Sequence, residues 1–377
     1  MSNIRLLQAG EVEEAIRLAD SVFRDDEQVS MREAFPSVFS KSLKQSYGAF
    51  EEGKLVSFMG FVPSIVQIES ARLHIYSIGA VCTHPDARGK GYASQLMTAV
   101  LSHANEAGAA LILVSGNRSL YTRSACYPFG SVKRYSLDEN HRELPLNDQQ
   151  ITVREWRPAD LFKLTELARI RTAYYEQSVT DLAGLIHASA YASNLKMEHT
   201  VLVAEKLGEC AAFAVIAVPG DKSAHRTPFV VERAGDATAT ATLLAQALKF
   251  NTQSKLDIAI NWYESELNEA FQFIPNKPEQ NSGTIHVVNV NHLNAQLRPY
   301  LEARSRNISG VDESSIPQIM QMENSEGMYK MLFPNQPAVF LDGAGLVACL
   351  FDPPANNNDY SPYFPVPFPY TVGLNYI

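Results

Sequence analysis

One stretch narrows the choice of folds more than any other. Ser77 to Thr83 reads as a strand, stopped by His84-Pro85, and Arg88-Gly89-Lys90-Gly91 follows as a glycine loop. Ala93, Leu96, Met97, Val100, Leu101 and Ala104 then recur at spacings that place them on one face of a helix. The apolar run from Ala110 to Ser115 predicts a buried strand directly after it. Strand, glycine loop, helix and strand in that order make a parallel crossover unit, with the helix packed on a sheet. The loop itself suits an anion. Glycines let the backbone approach a phosphate closely, and the first-turn amides of the helix lack internal partners. Arg88 and Lys90 can screen the charge that remains.

The flanking segments extend the pattern. Ile4–Gln8 reads as a strand and Glu11–Phe23 as a helix. Ser46–Phe50, Leu55–Ser64 and Ile65–Val81 read as an antiparallel meander. A meander joined to a parallel crossover is an α+β domain with a mixed sheet. From about Ile151 the same order of elements returns. Strand-like Val153–Trp156, helical Asp160–Arg171 and a hairpin over Thr200–Lys206 and Cys210–Val218 come first. Strand Phe229–Arg233, helix Ala237–Phe250 and strand Leu256–Trp262 follow. This reads as a degenerate second copy. Where its glycine loop should lie stands Glu232-Arg233-Ala234-Gly235-Asp236, whose acids would repel a phosphate. Polar Asn276–Gly283 suggests a boundary. A strand over Thr284–Val290, a helix over His292–Arg304 and a last strand pair within Ala338–Phe351 make a third unit. The proline- and aromatic-rich Pro353–Ile377 is expected to dock on the body as a tail. The expected domains are 1–147, 148–280 and 281–377.

Charge and composition exclude several partners. The net charge of -9 offers no general attraction to a phosphate backbone, which argues against nucleic acid; it mildly favours small cations. Cys82, Cys126, Cys210 and Cys349 are too scattered for a disulfide framework or a zinc site, and no metal is expected. No apolar run reaches the length of a membrane span, and the N-terminus lacks a signal-peptide core, so a cytoplasmic protein without a membrane partner is expected.

The segment Ser77 to Ala93 resembles motif A of the GNAT acetyltransferases. The resemblance implies acetyl-CoA as co-substrate, with Val81, Cys82 and Thr83 pairing with the pantetheine arm. Arg88, Gly89, Lys90, Gly91, Tyr92 and Ala93 would then surround the pyrophosphate. A second segment, Gly116 to Tyr127, resembles the family's tyrosine followed by a Gly-Phe turn; Asn117 within it is assigned to the cofactor side. Here Ala125 replaces the glycine and Cys126 the aromatic. The resemblance makes Tyr121 the candidate general acid for the leaving thiolate, a role a phenol with pKa near 10 can fill. The layout as a whole is similar to the enhanced intracellular survival family: two GNAT-like domains, then a sterol-carrier-like α+β domain. That family acetylates amines, including aminoglycosides in some members. The resemblance implies that the terminal carboxylate, here of Ile377, reaches the active site as a base, and that the chain is an oligomer.

The expected activity is therefore acetyl transfer to a primary amine, such as an aminoglycoside or polyamine, by direct attack. Asp25, Asp26 and Glu27, just after the first helix, are candidates for attracting such a cation. Cys82 and Cys126 read as packing residues, and His74, Tyr76 and His84 as structural ones. The rival readings are a non-catalytic coenzyme A sensor and a lipid-binding protein acting through the third domain.

Overall fold

The computed structural model describes residues 3–141, 150–250, 254–306, 316–323, 325, 327–334, 336–353 and 363–377. The first sheet is built from β1 (Asn3–Leu6), β2 (Tyr47–Glu51), β3 (Lys54–Ile68), β4 (Ala71–Thr83) and β5 (Leu111–Val114). β1 through β4 are antiparallel neighbours, and β4 and β5 are parallel. Helices α1 (Val12–Phe23) and α2 (Met31–Ala34) cover one face; α3 (Tyr92–Glu106) covers the other. The expected helix face is the one buried: Leu96, Met97, Val100 and Ala104 pack with Ile78, Ile112 and Val114. A short α4 (Ser119–Arg123) follows β5.

The second unit repeats the plan. Its elements are β6 (Ser131–Asp138), β7 (Ile151–Glu155), α5 (Leu161–Arg169), β8 (Ala173–Tyr175), α6 (Val179–Ala188), α7 (Ala190–Asn194) and β9 (Met197–Lys206). They continue with β10 (Glu209–Pro219), β11 (Phe229–Gly235), α8 (Ala237–Ala247), β12 (Lys255–Asn261), α9 (Ser265–Ala270), β13 (Asn276–Gln280) and β14 (Thr284–Val287). Its sheet runs β13-β6-β12-β11-β10-β9-β7. β11 and β12 are parallel across α8, as β4 and β5 are across α3.

Two strands change places between the units. β6 follows the first unit's α4 in sequence, yet it pairs with β12 in the second sheet, Leu256 opposite Leu137. β14, read from the sequence as the opening of the third unit, pairs with β5 in the first sheet, Ile285 opposite Leu113. β8 also leaves its own unit to pair with β3. Sheet membership therefore does not follow the 280/281 boundary. The 147/148 boundary lies outside the described residues.

The rest comprises α10 (Val290–Ser305), the antiparallel trio β15 (Gln318–Gln321), β16 (Met328–Leu332) and β17 (Val339–Asp342), and α11 (Gly343–Phe351). The strand pair expected within Ala338–Phe351 is instead a strand and a helix. Asp342 caps that helix by accepting from the Gly345 amide at 2.7 Å. Leu293 and Leu297 of α10 and Leu346 and Leu350 of α11 join Ile75, Leu111 and Ile285 in one core. The tail is docked as expected where it is described, from residue 363 on. Phe368 packs edge-to-face on Phe129 and Phe351 at 5.5 and 5.6 Å, and Val366 is fully buried. Residues 354–362 of it lie outside the described residues.

Candidate active site

The parallel ladder of β4 and β5 ends at Ile78 opposite Val114. Beyond that pair β4 bends away. Its register against β3 slips between Phe58 and Gly60, and Ala80 takes a left-handed φ of 51°. The two strands open into a V, and a cleft of about 960 Å³ fills it. Val81, Cys82, Thr83, Arg88 and Ala93, all expected on the cofactor side, line this cleft. Gly79–Thr83 thus presents strand backbone no longer paired with β5, available to an extended ligand arm.

At one end of the V lies the start of α3. Gly89 and Gly91 adopt φ of 77° and 80°, where a side chain would be strained. Gly91 is the N-cap, no side chain caps the helix, and its first turn holds no acid. Uncapped amides, the helix dipole and the cations Arg88 and Arg118 on the cleft wall suit a pyrophosphate. Two expected contributors point elsewhere. Lys90 Nζ pairs with Glu51 at 2.9 Å, and the buried Tyr92 donates its hydroxyl to the same carboxylate. The lysine is spent tying the loop to β2, because Glu51 is its nearest anion. Asn117 is exposed and is not among the residues lining the cleft.

The second unit makes the contrast plain. Asp236 is the N-cap of α8, and its carboxylate accepts from the Ala239 amide at 2.8 Å. A helix start closed by its own carboxylate has no place for a phosphate. Glu232 nearby pairs with Arg171, and Glu264 holds Arg233 at 2.9 Å.

Tyr121 lines the first cleft and is buried to 7% exposure. Its ring packs on Gly116. The turn after it keeps the shape a glycine would give: Ala125 sits at φ 54°, and the Cys126 amide returns to the Tyr121 carbonyl at 3.0 Å. Burial raises the phenol's pKa, partly opposed by Arg118, so Tyr121 carries its proton at neutral pH. Cys82 and Cys126 are buried thiols pushed up to about 12 by desolvation, which makes both poor nucleophiles.

The end of the chain enters the same cleft. Tyr376 and Ile377 line it together with Tyr121. Ile377 lies against Gly79: a Cβ there would fall 2.8 Å from a terminal oxygen and nearer still to the carboxyl carbon. Only glycine at 79 leaves room for the terminal carboxylate. Tyr376 is fixed by edge-to-face contact with Tyr191 at 4.9 Å and by Phe35 at 6.4 Å.

The acidic triplet is placed differently from the expectation. Lys196 of the second unit binds Asp25 at 2.8 Å and Glu27 at 2.7 Å. Asp26 is exposed, and none of the three lines the cleft. The loop is a clasp between units; Gln28, beside it, reaches the wall. His74 and His84 are exposed, and Tyr76 stacks on Phe61 at 4.0 Å; none lines the cleft. Sequence reasoning missed Met31, Phe35, Arg118 and, from the second unit, Asn194. No local signal marks Asn194, because the fold brings it from far along the chain. Among the described residues, no cluster could hold a metal ion, and no helix is long and apolar enough to cross a membrane.

Known proteins resemble the chain in two ways. The family profile of the acetyltransferase (GNAT) domain matches residues 3–126. No curated protein sequence matches the chain. Among solved structures, a probable N-acyltransferase from Enterococcus faecalis is 14% identical with a TM-score of 0.64, covering 91% of this chain and 86% of its own. A GCN5-related N-acetyltransferase from Anabaena variabilis is 11% identical with a TM-score of 0.64, covering 92% and 89%. Eis1 from Mycobacterium abscessus is 12% identical with a TM-score of 0.60, again covering 92% and 89%. At such identities the likeness is one of fold, and it extends over nearly the whole chain.

Proposed function

We propose that the chain, whose residues 3–126 match the GNAT acetyltransferase domain profile, is an acyltransferase that moves an acetyl group from acetyl-CoA to a primary amine. The observation that carries this is the convergence of Tyr121 and the Ile377 carboxylate on the cleft whose far end is the uncapped start of α3. Coenzyme A would lay its pyrophosphate at Arg88–Ala93 and its pantetheine arm along Gly79–Thr83. The neutral amine attacks the thioester carbonyl, and a C–N bond forms. The nitrogen passes its surplus proton to the terminal carboxylate. As the C–S bond breaks, Tyr121 gives its proton to the thiolate and is later reprotonated from the carboxylate through solvent, so protons balance. A positioned acid of this kind contributes about 10²- to 10⁴-fold, and holding both reactants in one V supplies much of the rest.

Of the rival readings, a coenzyme A sensor has no need of a buried phenol and the chain's own carboxylate on one cleft. A sterol-carrier role for the third unit is disfavoured, because the apolar faces of α10 and α11 are spent on the first unit's core. The test is thiol release from acetyl-CoA across a panel of amines, with wild type and Tyr121→Phe. Turnover that falls about 100-fold or more in the variant, with acetyl-CoA affinity retained, is expected. Tight acetyl-CoA binding without turnover by wild type would overturn the reading in favour of a sensor.

A further inference from the structure

The acceptor half of the cleft has a chemistry of its own. Beyond Gly79 its wall comes from Val22 and Phe23 at the end of α1, from Met31 and Phe35, and from Tyr376 of the tail. Met31 and Phe35 are buried to 4% exposure. The polar groups there are largely committed. Gln28 Nε2 donates to the carbonyls of Ser193 and Asn194 at 3.1 and 3.2 Å, and Asn194 Oδ1 accepts from Arg24 at 3.1 Å.

The charges are unequal. Among the described residues no aspartate or glutamate lines the cleft, and the anion that reaches it is the Ile377 carboxylate. Of the acids near the wall, Asp25 and Glu27 are bound to Lys196, and Asp20 is committed to the Met31 amide at 2.7 Å and the Ser30 hydroxyl at 2.8 Å. Behind the wall, the Arg24 guanidinium sits 5.7 Å from the Phe35 ring centroid. One ammonium can meet the carboxylate. A second or third would face apolar side chains, with no carboxylate among the described residues lining the cleft to pair it, since Asp20 behind Met31 already faces Arg24, and desolvating an unpaired charge is costly. Aromatic and aliphatic groups on the acceptor gain from the same surface.

We propose that the acceptor is a primary amine with a single basic nitrogen on an aromatic or aliphatic body, and not a polyamine or an aminoglycoside. The inference rests on the acetyl-transfer reading above. It also assigns the second unit a part in specificity: Lys196 withholds the acids, and Asn194 and Tyr191 brace the wall.

The experiment compares kcat/KM of the full chain for 2-phenylethylamine, hexylamine, spermidine and kanamycin at saturating acetyl-CoA. The monoamines are expected to lead spermidine and kanamycin by about 100-fold. Phe23→Glu adds a carboxylate to a half-buried position on the wall. It is expected to lower KM for spermidine about tenfold and to raise KM for 2-phenylethylamine, with acetyl-CoA affinity serving as the check on folding. Should spermidine or kanamycin match the monoamines with wild type, the inference fails while the acetyltransferase reading stands. An unchanged spermidine KM in folded Phe23→Glu would place the acceptor elsewhere and overturn it too. No thiol release with any of the four amines, despite acetyl-CoA binding, would bring down both readings.

Discussion

Gly79 is the residue on which the chain's two ends of sequence depend. It pairs across β3 with Gly60, whose own missing side chain makes room for Val38 and the Gly79 carbonyl. On its cleft side lies the Ile377 carboxylate. Gly79→Ala is expected to push the tail's end out of the V. kcat should fall about 100-fold, with a much smaller effect on acetyl-CoA affinity measured by calorimetry. Unchanged kcat would detach the terminal carboxylate from the chemistry. Tyr121 makes a different forecast. An acid catalyst works in its protonated form, and burial moves its pKa above the ordinary value of 10.0. Loss of its proton therefore limits the reaction only above about pH 10, and kcat should show no alkaline decline due to Tyr121 below that. A pH–rate profile with a fall centred near pH 8, absent in Tyr121→Phe, would contradict this. Tyr121 and the glycine loop were legible because their chemistry is written in contiguous residues. The fate of Asp25 and Glu27 was not, because their partner Lys196 is supplied by the other unit and nothing local distinguishes a substrate-facing acid from a clasp.

At the scale of elements, α3 and α8 are the same device in two states. Both open after a parallel strand, but one begins with Gly91 and the other with Asp236. Gly91→Ala forces a side chain into φ 80° and should raise the acetyl-CoA Kd about tenfold. Asp236→Ala should leave that Kd alone and cost about 1 kcal/mol of stability by denaturant titration. Equal effects on Kd would show that the two helix starts are not functionally distinct. β9 carries a separate liability. His199 donates through Nδ1 to the Ile186 carbonyl at 2.9 Å in the tautomer that this contact favours, while its Nε2 is buried with no partner among the described residues. Burial drops its pKa from 6.5 to about 4. The unfolded chain then takes up a proton below pH 6.5 that the folded one refuses. The stability His199 contributes is whole above that pH and is lost as pH falls towards 4, to the extent of about 3 kcal/mol. His199→Gln should flatten the fall of Tm across that window, and an unaltered slope would refute the assignment. The α11 segment shows where periodicity fails: Gly343–Phe351 is apolar on nearly every side, so its sequence cannot separate a buried helix from strands.

The exchange of β6 and β14 makes the molecule one folding problem. Each strand's alternation of apolar residues would serve in either sheet, which is why the sequence marked the strands and not their partners. The consequence concerns the segment that holds the whole glycine loop and Tyr121. In a fragment of residues 1–141, β5 would lose β14, baring the edge of Leu111–Val114, residues that are almost wholly buried. β6 would lose both β12 and β13. Phe129 would lose the Phe351 and Phe368 rings, and the V would lose Tyr376 and Ile377. An unpaired apolar edge is a template for aggregation. The fragment is expected to be insoluble, or to lack near-ultraviolet dichroism and acetyl-CoA binding, although it contains the matched acetyltransferase domain. Co-expression with residues 142–377 should restore both, since every lost partner lies there. A soluble 1–141 fragment that unfolds cooperatively and binds acetyl-CoA would show instead that the first unit closes its own sheet. The exchanged strands would then be attachments, and the tail would keep its place in the V through its own contacts with Phe35, Gly79 and Tyr191.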